Sequence, residues 1–287
     1  IYDCGWESDF EVAIPDGTPS GLYAAKLERE GSEAEFIPFA VRPPKGTTTA
    51  RLCVVMPDAS YLAYANIDEA YDPGYDFQFN RVARWGPDDF YHNDHPEIGV
   101  SMYGLHADGS GPHYSSRLRP VVNFSPTHDS LWQLSADMHL IAWLDHAGIA
   151  YDMICDEDID REGVDLLKQW SCVMTMSHPE YTSTRMLDAY QGFTDQGGRL
   201  MYMGGNGFYW RVAYRDDKPG VIEMRRAEDG SRSWIAEPGE YYMSFTGEMG
   251  GLWGHAGRAP NKLVGNGFIA QGFDASSPYH RTQASRD

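Results

Sequence analysis

The chain has 287 residues, enough for one large domain or two smaller ones, and 42% of them are hydrophobic. Its 42 acidic and 23 basic residues give a formal charge of −19, which repels nucleic acid and anionic membrane and excludes both as expected partners. No apolar run approaches the roughly 20 residues that cross a bilayer.

The chain opens mid-phrase with "IYDCGWESDFEVAIPDG", without an initiator Met or a signal-peptide pattern, and is expected to be part of something longer. Residues 1 to 44 read as β. "FEVAI", "GLYAAKLE" and "AEFIPFAV" are short alternating runs separated by "PDGTPSG" and "REGSE". Three short strands do not make a stable unit alone, so this segment reads as the end of a β-sandwich. "RPPKGTTT" is the linker that follows.

From residue 50 to 287 the pattern is that of an α/β domain. "RLCVVMP", "YDMICDED", "SCVMTMS" and "RLMYMGG" are continuous apolar runs, as expected of strands buried on both faces. Between them lie helical segments: "DMHLIAWLDHAG", the short "DREGVDLLKQW", and the amphipathic "YTSTRMLDAYQGFTDQGG". Alternation of this kind predicts a mostly parallel sheet with flanking helices, whose ligands gather at the carboxyl ends of the strands. Those ends are Pro57 to Tyr64, Cys155 to Asp158, Ser177 to Tyr181, and Gly204 to Trp210. "DEDIDREG" reads as a solvated loop and helix cap. Residues 66 to 130 form a long polar segment of the kind that is usually functional or mobile. The four cysteines show no paired spacing, which suits a reducing cytoplasm better than a disulfide framework.

The strand ends supply Tyr61, Tyr64, His178, Glu180 and Asn206, and the long segment adds Tyr103, His106, Asp108 and His113. Phenolate and carboxylate oxygens suit a hard, highly charged ion, and His with carboxylate suits Fe(II), Zn or Mn. No local metal motif is present. The competing reading is a Ser or Cys nucleophile on a strand-to-helix turn. The matching turn, "MSHPEY", lacks flanking glycines, and Cys172 lies at the wrong end of its strand. His-Pro-Glu occurs twice. At His95-Pro96-Glu97 it lies in a polar loop and reads as a turn. At His178-Pro179-Glu180 it follows a buried strand, where Pro179 equally suits a helix start with Glu180 favoured near the dipole. The glycines of "GGNGFYW" suit a tight turn beneath Asn206 rather than a phosphate loop.

Several segments, in order, resemble one family: "VVMPDASYLAYAN", "SMYGLHADGSG" with "YSSRLRPVVNF", "ADMHLIAWLDHAGIAYDMICDEDI", "SHPEY", "GGRLMYMGGNGFYW", "GGLWG" and "LVGNGFIAQGF". Together they are similar to the C-terminal domain of the large subunit of N,N-dimethylformamidase. The resemblance implies a glutamine-amidotransferase-like fold, with a C-terminus extending past Asp287. It implies hydrolysis of the linear amide bond of N,N-dimethylformamide to dimethylamine and formate at one mononuclear ferric iron. Two tyrosines and a glutamate hold that iron. They carry over to Glu180, Tyr103, and either Tyr61 or Tyr64, the family's spacing fitting Tyr61 slightly better. His178 and Asn206 match residues close to the metal, and with Glu180 they form the expected catalytic group. Phe208 and Tyr209 are expected to line a small apolar pocket for N-methyl groups. The family's water-activating base has no match here, Glu248 being a weak substitute. The resemblance also implies a small partner subunit, further assembly of the heterodimer, and a cytoplasmic location. The rival expectations are a non-catalytic binding member of the family and a hydrolase for a different small amide.

Overall fold

The computed structural model describes residues 2–67, 87–127, 133–226, 239–268 and 280–285. Of the long middle segment, residues 68–86 and 128–130 lie outside this set. Near the amino terminus the expected strand "FEVAI" does not form: Phe10, Val12 and Ile14 are exposed and no described strand lies alongside them. Strands β1 (Gly21–Leu27) and β2 (Glu35–Val41) pair as an antiparallel hairpin.

The expected alternation of strand and helix follows. Strand β3 (Leu52–Met56) leads into the short helix α1 (Asp58–Ala63). Helix α2 (Pro87–Asp94) and strand β4 (Tyr114–Ser116) come from the long middle segment. Then come helix α3 (Leu134–His146), strand β5 (Tyr151–Cys155), helices α4 (Asp156–Glu162) and α5 (Val164–Leu167), and strand β6 (Cys172–Thr175). A two-residue strand β7 (Tyr181–Thr182) precedes helix α6 (Thr184–Asp195) and strand β8 (Arg199–Met201). Strands β9 (Trp210–Tyr214) and β10 (Val221–Met224) and the single turn α7 (Asn261–Val264) complete the elements.

The four apolar runs form one parallel sheet in the order β5-β3-β6-β8. Side chains alternate across a strand, so β3, β5 and β6 each bury two sets, while β8, at the edge, leaves Arg199 and Met201 exposed, against the expectation for its run. Cys53, Val55, Ile154 and Val173 share a core with α4, α5 and α6 through Ile159, Leu166, Leu187 and Tyr190. Val54, Met153 and Met174 face the other way, against Leu140 and Leu144 of α3 and against Leu22 and Ala40 of the hairpin. A second sheet, β4-β10-β9-β7, was not anticipated; it is antiparallel except for the β7–β9 pair. Among the described residues no helix is long and apolar enough to cross a membrane. All four cysteines are free thiols.

"DEDIDREG" is not solvated. Asp156, Glu157 and Asp160 are buried, and Glu157 and Asp160 meet partners from distant segments. The Glu157 carboxylate pairs with Arg117 and Arg161 and accepts the Gly220 amide, while Ser183 donates to Asp160 at 2.5 Å. Only the capping role holds: Asp158 accepts the Cys155 amide at 2.9 Å. Beside this group, Oδ2 of Asp58 and Oδ2 of Asp156 are buried without hydrogen-bond partners. Burial, then the charge of Glu157, pushes the Asp58 carboxyl up to about 7. A carboxyl whose folded pKa is raised contributes stability in acid and loses it as pH rises towards the folded value. Between pH 5 and pH 8 the protein should therefore lose about 1–2 kcal/mol more than Asp58→Asn, allowing for the partial exposure of Asp58. Urea unfolding at the two pH values checks this.

Candidate functional site

Three of the four parallel strands deliver site residues at their carboxyl ends. Helix α1, after β3, carries Ser60 and Tyr61 and is capped by Tyr64. The end of β6 carries Ser177 to Tyr181, and the end of β8 carries Asn206. The fourth end, after β5, builds the buried acidic group already described.

The second His-Pro-Glu is a bend and not a helix start, since α6 begins only at Thr184 with Ser183 as its cap. Pro179 closes a three-residue turn in which the Glu180 amide donates to the His178 carbonyl at 3.0 Å. The same amide reaches Ser60 Oγ at 3.0 Å, tying the bend to α1. The Glu180 carbonyl accepts the amides of Tyr209 and Trp210 at 2.8 and 3.0 Å. With its backbone held from both sides, Glu180 presents a carboxylate that is only 4% exposed. Gly204 permits this packing: a Cβ there would lie 2.7 Å from the Pro179 ring. Gly207 has a φ of +72° and runs against Pro260, making the tight turn expected beneath Asn206. The first His-Pro-Glu is a surface 3-10 turn, as expected, with His95 and Glu97 paired to each other.

Around Glu180 the phenols converge. Tyr64 donates to Glu180 Oε2 at 2.6 Å, and its ring stacks on Tyr103 with centroids 4.4 Å apart. The Tyr103 hydroxyl meets that of Tyr181. The His178 ring lies with Nε2 3.3 Å from Glu180 Oε2, with Gln133 Nε2 3.3 Å from its Nδ1 and Asn206 Nδ2 3.5 Å from Nε2. Tyr61 is elsewhere: its hydroxyl donates to Asp137, and its ring leans on Phe124. The structure thus gathers Tyr64, Tyr103, His178, Glu180 and Asn206, and turns the Tyr61 hydroxyl away from them to Asp137.

Other candidates lie apart from this group. His106 and Asp108 are exposed, Asp108 being taken up by Ser110. His113 pairs with Glu240 at 3.7 Å. Glu248 accepts from Thr184 at the start of α6. Phe208 is 1% exposed and stacks on Tyr190 with Tyr202 edge-on, so its ring belongs to the core; Tyr209 is half-buried against Trp210 and Phe268. Sequence reasoning missed Asp137, Tyr181, Arg226 and Gln133. Asp137 and Arg226 are charged residues with no exposed face, a property visible only once their partners are in place.

The donor set fits a hard trivalent cation. Burial, and after it the charge of Glu180, holds the Tyr64 and Tyr103 phenols above their usual range. The Arg226 guanidinium opposes that shift at Tyr103. Such phenols keep their protons until a strong positive charge replaces them, as a metal does for its ligands. Among the described residues no group of three His, Cys, Asp or Glu is placed to hold a metal, so a metal here would have to draw on tyrosine oxygens beside Glu180.

Fold and site together define an α/β protein whose polar centre, built from phenols, a carboxylate and an imidazole, lies at the carboxyl ends of parallel strands. The chain belongs to the N,N-dimethylformamidase beta subunit-like, C-terminal family, whose model matches residues 1–287. It is 40% identical over 293 aligned positions to the N,N-dimethylformamidase beta subunit of Paracoccus aminophilus, and 40% identical to that of an Alcaligenes species. Each alignment takes in 100% of this chain and 38% of the relative, so the chain spans well under half the length of those subunits.

Proposed function

We propose that this chain is the catalytic part of an iron-dependent amide hydrolase that splits a small N-substituted formamide into an amine and formate. The observation that carries the reading is the convergence of Tyr64, Tyr103 and Glu180 beside His178. The names of the relatives support the same chemistry and suggest a second subunit. Within this reading the parallel sheet and its helices belong to a glutamine-amidotransferase-like unit.

Tyr64, Tyr103 and Glu180 would hold a single ferric ion, giving three anionic oxygens to a tripositive charge. When bound, the ion supplies Lewis-acid polarisation of an amide carbonyl. The remaining work falls to side chains. An amide is weakly electrophilic and its amine leaves poorly, so a proton must reach the nitrogen as the bond breaks. His178 is the group placed for that, its ring held between Glu180 and Gln133. The Asn206 amide, 3.5 Å from His178, donates to the oxyanion that develops at the carbonyl. Burial of Glu180 and Tyr64 keeps bulk water from these charges.

The full-length protein should release formate from N,N-dimethylformamide, lose that activity on metal stripping, and regain it with ferric ion but not with zinc. Release of formate unaffected by metal removal contradicts the proposal. The tyrosines give a sharper comparison. Tyr64→Phe should lose iron, while Tyr61→Phe should keep it and lose only the hydrogen bond to Asp137, about 1 kcal/mol of stability. Metal content of the two variants decides between them.

A further inference from the structure

One buried cation adjoins the site and has no part in the chemistry above. Arg226 is 0% exposed. Its guanidinium carbon lies 3.6 Å from the centroid of the Tyr103 ring. Nη1 donates to the Met102 carbonyl at 2.8 Å, and Nη2 donates to the Tyr181 hydroxyl at 2.8 Å. Tyr181 is also fully buried, and its hydroxyl meets that of Tyr103.

The direction of these hydrogen bonds follows from donor counting. A guanidinium has donors only, so the Tyr181 oxygen must accept from Arg226. A phenol has one proton. Between the two phenols either hydroxyl can donate while both are neutral; once Tyr103 is a phenolate it has no proton, and Tyr181, whose oxygen already accepts from Arg226, is the donor. The adjacent positive charge polarises the Tyr181 hydroxyl and strengthens it as a donor. Tyr103 then sits as an acceptor, the role a phenolate ligand requires, while the proton of Tyr64 points to Glu180.

We propose that Arg226 and Tyr181 are a positioning pair that supplies a hydrogen bond to the Tyr103 oxygen and fixes that oxygen as an acceptor towards the metal. The inference rests on the ferric reading of the site. It makes the two tyrosinate ligands unequal: Tyr103 accepts a hydrogen bond from a charge-polarised phenol, whereas Tyr64 gives up the proton it donates to Glu180 when it becomes a ligand. A hydrogen bond to a phenolate stabilises its filled orbitals and draws electron density from the metal, leaving the metal a stronger Lewis acid. Outer partners of metal ligands are worth about 10–100-fold in affinity or activity.

The test is Tyr181→Phe in the full-length protein with its partner subunit. The variant should keep its iron. Its tyrosinate-to-iron absorption should move to longer wavelength, because Tyr103 loses its donor. Turnover should fall about 10–100-fold. An iron-loaded variant whose band does not move overturns the proposal. Should the variant not fold, the wild type answers in its place. Prepared in D2O, it should show a deuterium shift in the C–O stretch of one tyrosinate by resonance Raman; no shift in either overturns the proposal equally. A wild type with no iron and no band rejects the ferric reading itself, which is a different result from an unmoved band.

Discussion

Glu180→Gln in the full-length protein is expected to lose iron and formamide hydrolysis while keeping its fold. The substitution preserves shape. A glutamine carbonyl can still accept from Tyr64, and the backbone contacts of residue 180 to Ser60, Tyr209 and Trp210 do not involve the side chain. What disappears is the one carboxylate among the expected ligands, so the loss of metal should exceed the about 10–100-fold that outer-shell changes cost. Near-UV circular dichroism should match wild type, iron content should fall to background, and formate release should fall with it. A Glu180→Gln variant that binds iron stoichiometrically would remove Glu180 from the ligand set.

Asp137→Ala is expected to be the most destabilising single change near the site. Asp137 is 0% exposed and belongs to α3. It accepts the Ser177 amide at 2.8 Å, the Ser177 hydroxyl, and the Tyr61 hydroxyl of α1. It therefore clasps the end of β6 to α1, one residue before His178. Burial raises its carboxyl pKa, and the bonds from Ser177 and Tyr61 pull it back. Removing the side chain leaves the buried Tyr61 hydroxyl without its acceptor, while the two donors of Ser177, an exposed residue, turn to water, so a loss of about 2 kcal/mol is expected. Asp137→Asn, which keeps an acceptor for Ser177, should cost less. Urea unfolding gives both values; a loss under about 1 kcal/mol for the alanine variant would show that the clasp carries no stability.

The parallel sheet was legible because three of its strands, β3, β5 and β6, are buried on both faces, and runs such as "RLCVVMP" and "SCVMTMS" have no polar side to confuse the pattern; the edge strand β8, read the same way, is largely exposed. The second sheet was not. Its strands include β7, two residues long, and short runs cannot be told from loops by periodicity. "FEVAI" had the alternation of a strand but finds no partner, and pattern alone does not supply one. At the candidate site, the strand ends offered Tyr61, Tyr64, His178, Glu180 and Asn206 and the long segment offered Tyr103, and the structure brings all of these but Tyr61 together. Tyr61 and Tyr64 stayed unresolved because residues three apart on a helix point only about 60° from each other. That small angle sends one hydroxyl to Asp137 and the other to Glu180. The buried charges were hidden for a different reason. Asp137, Glu157 and Arg226 meet partners 40 to 124 residues distant, and an acidic run such as "DEDIDREG" gives no hint of them.

The central claim is that two phenols and one carboxylate hold a single ferric ion at the carboxyl ends of the sheet. Elemental analysis of the purified full-length protein, read together with its visible spectrum, tests that most directly. About one iron per chain with a tyrosinate-to-iron band that vanishes in Tyr64→Phe is the expected result. A colourless, iron-free protein that still hydrolyses formamides would contradict it.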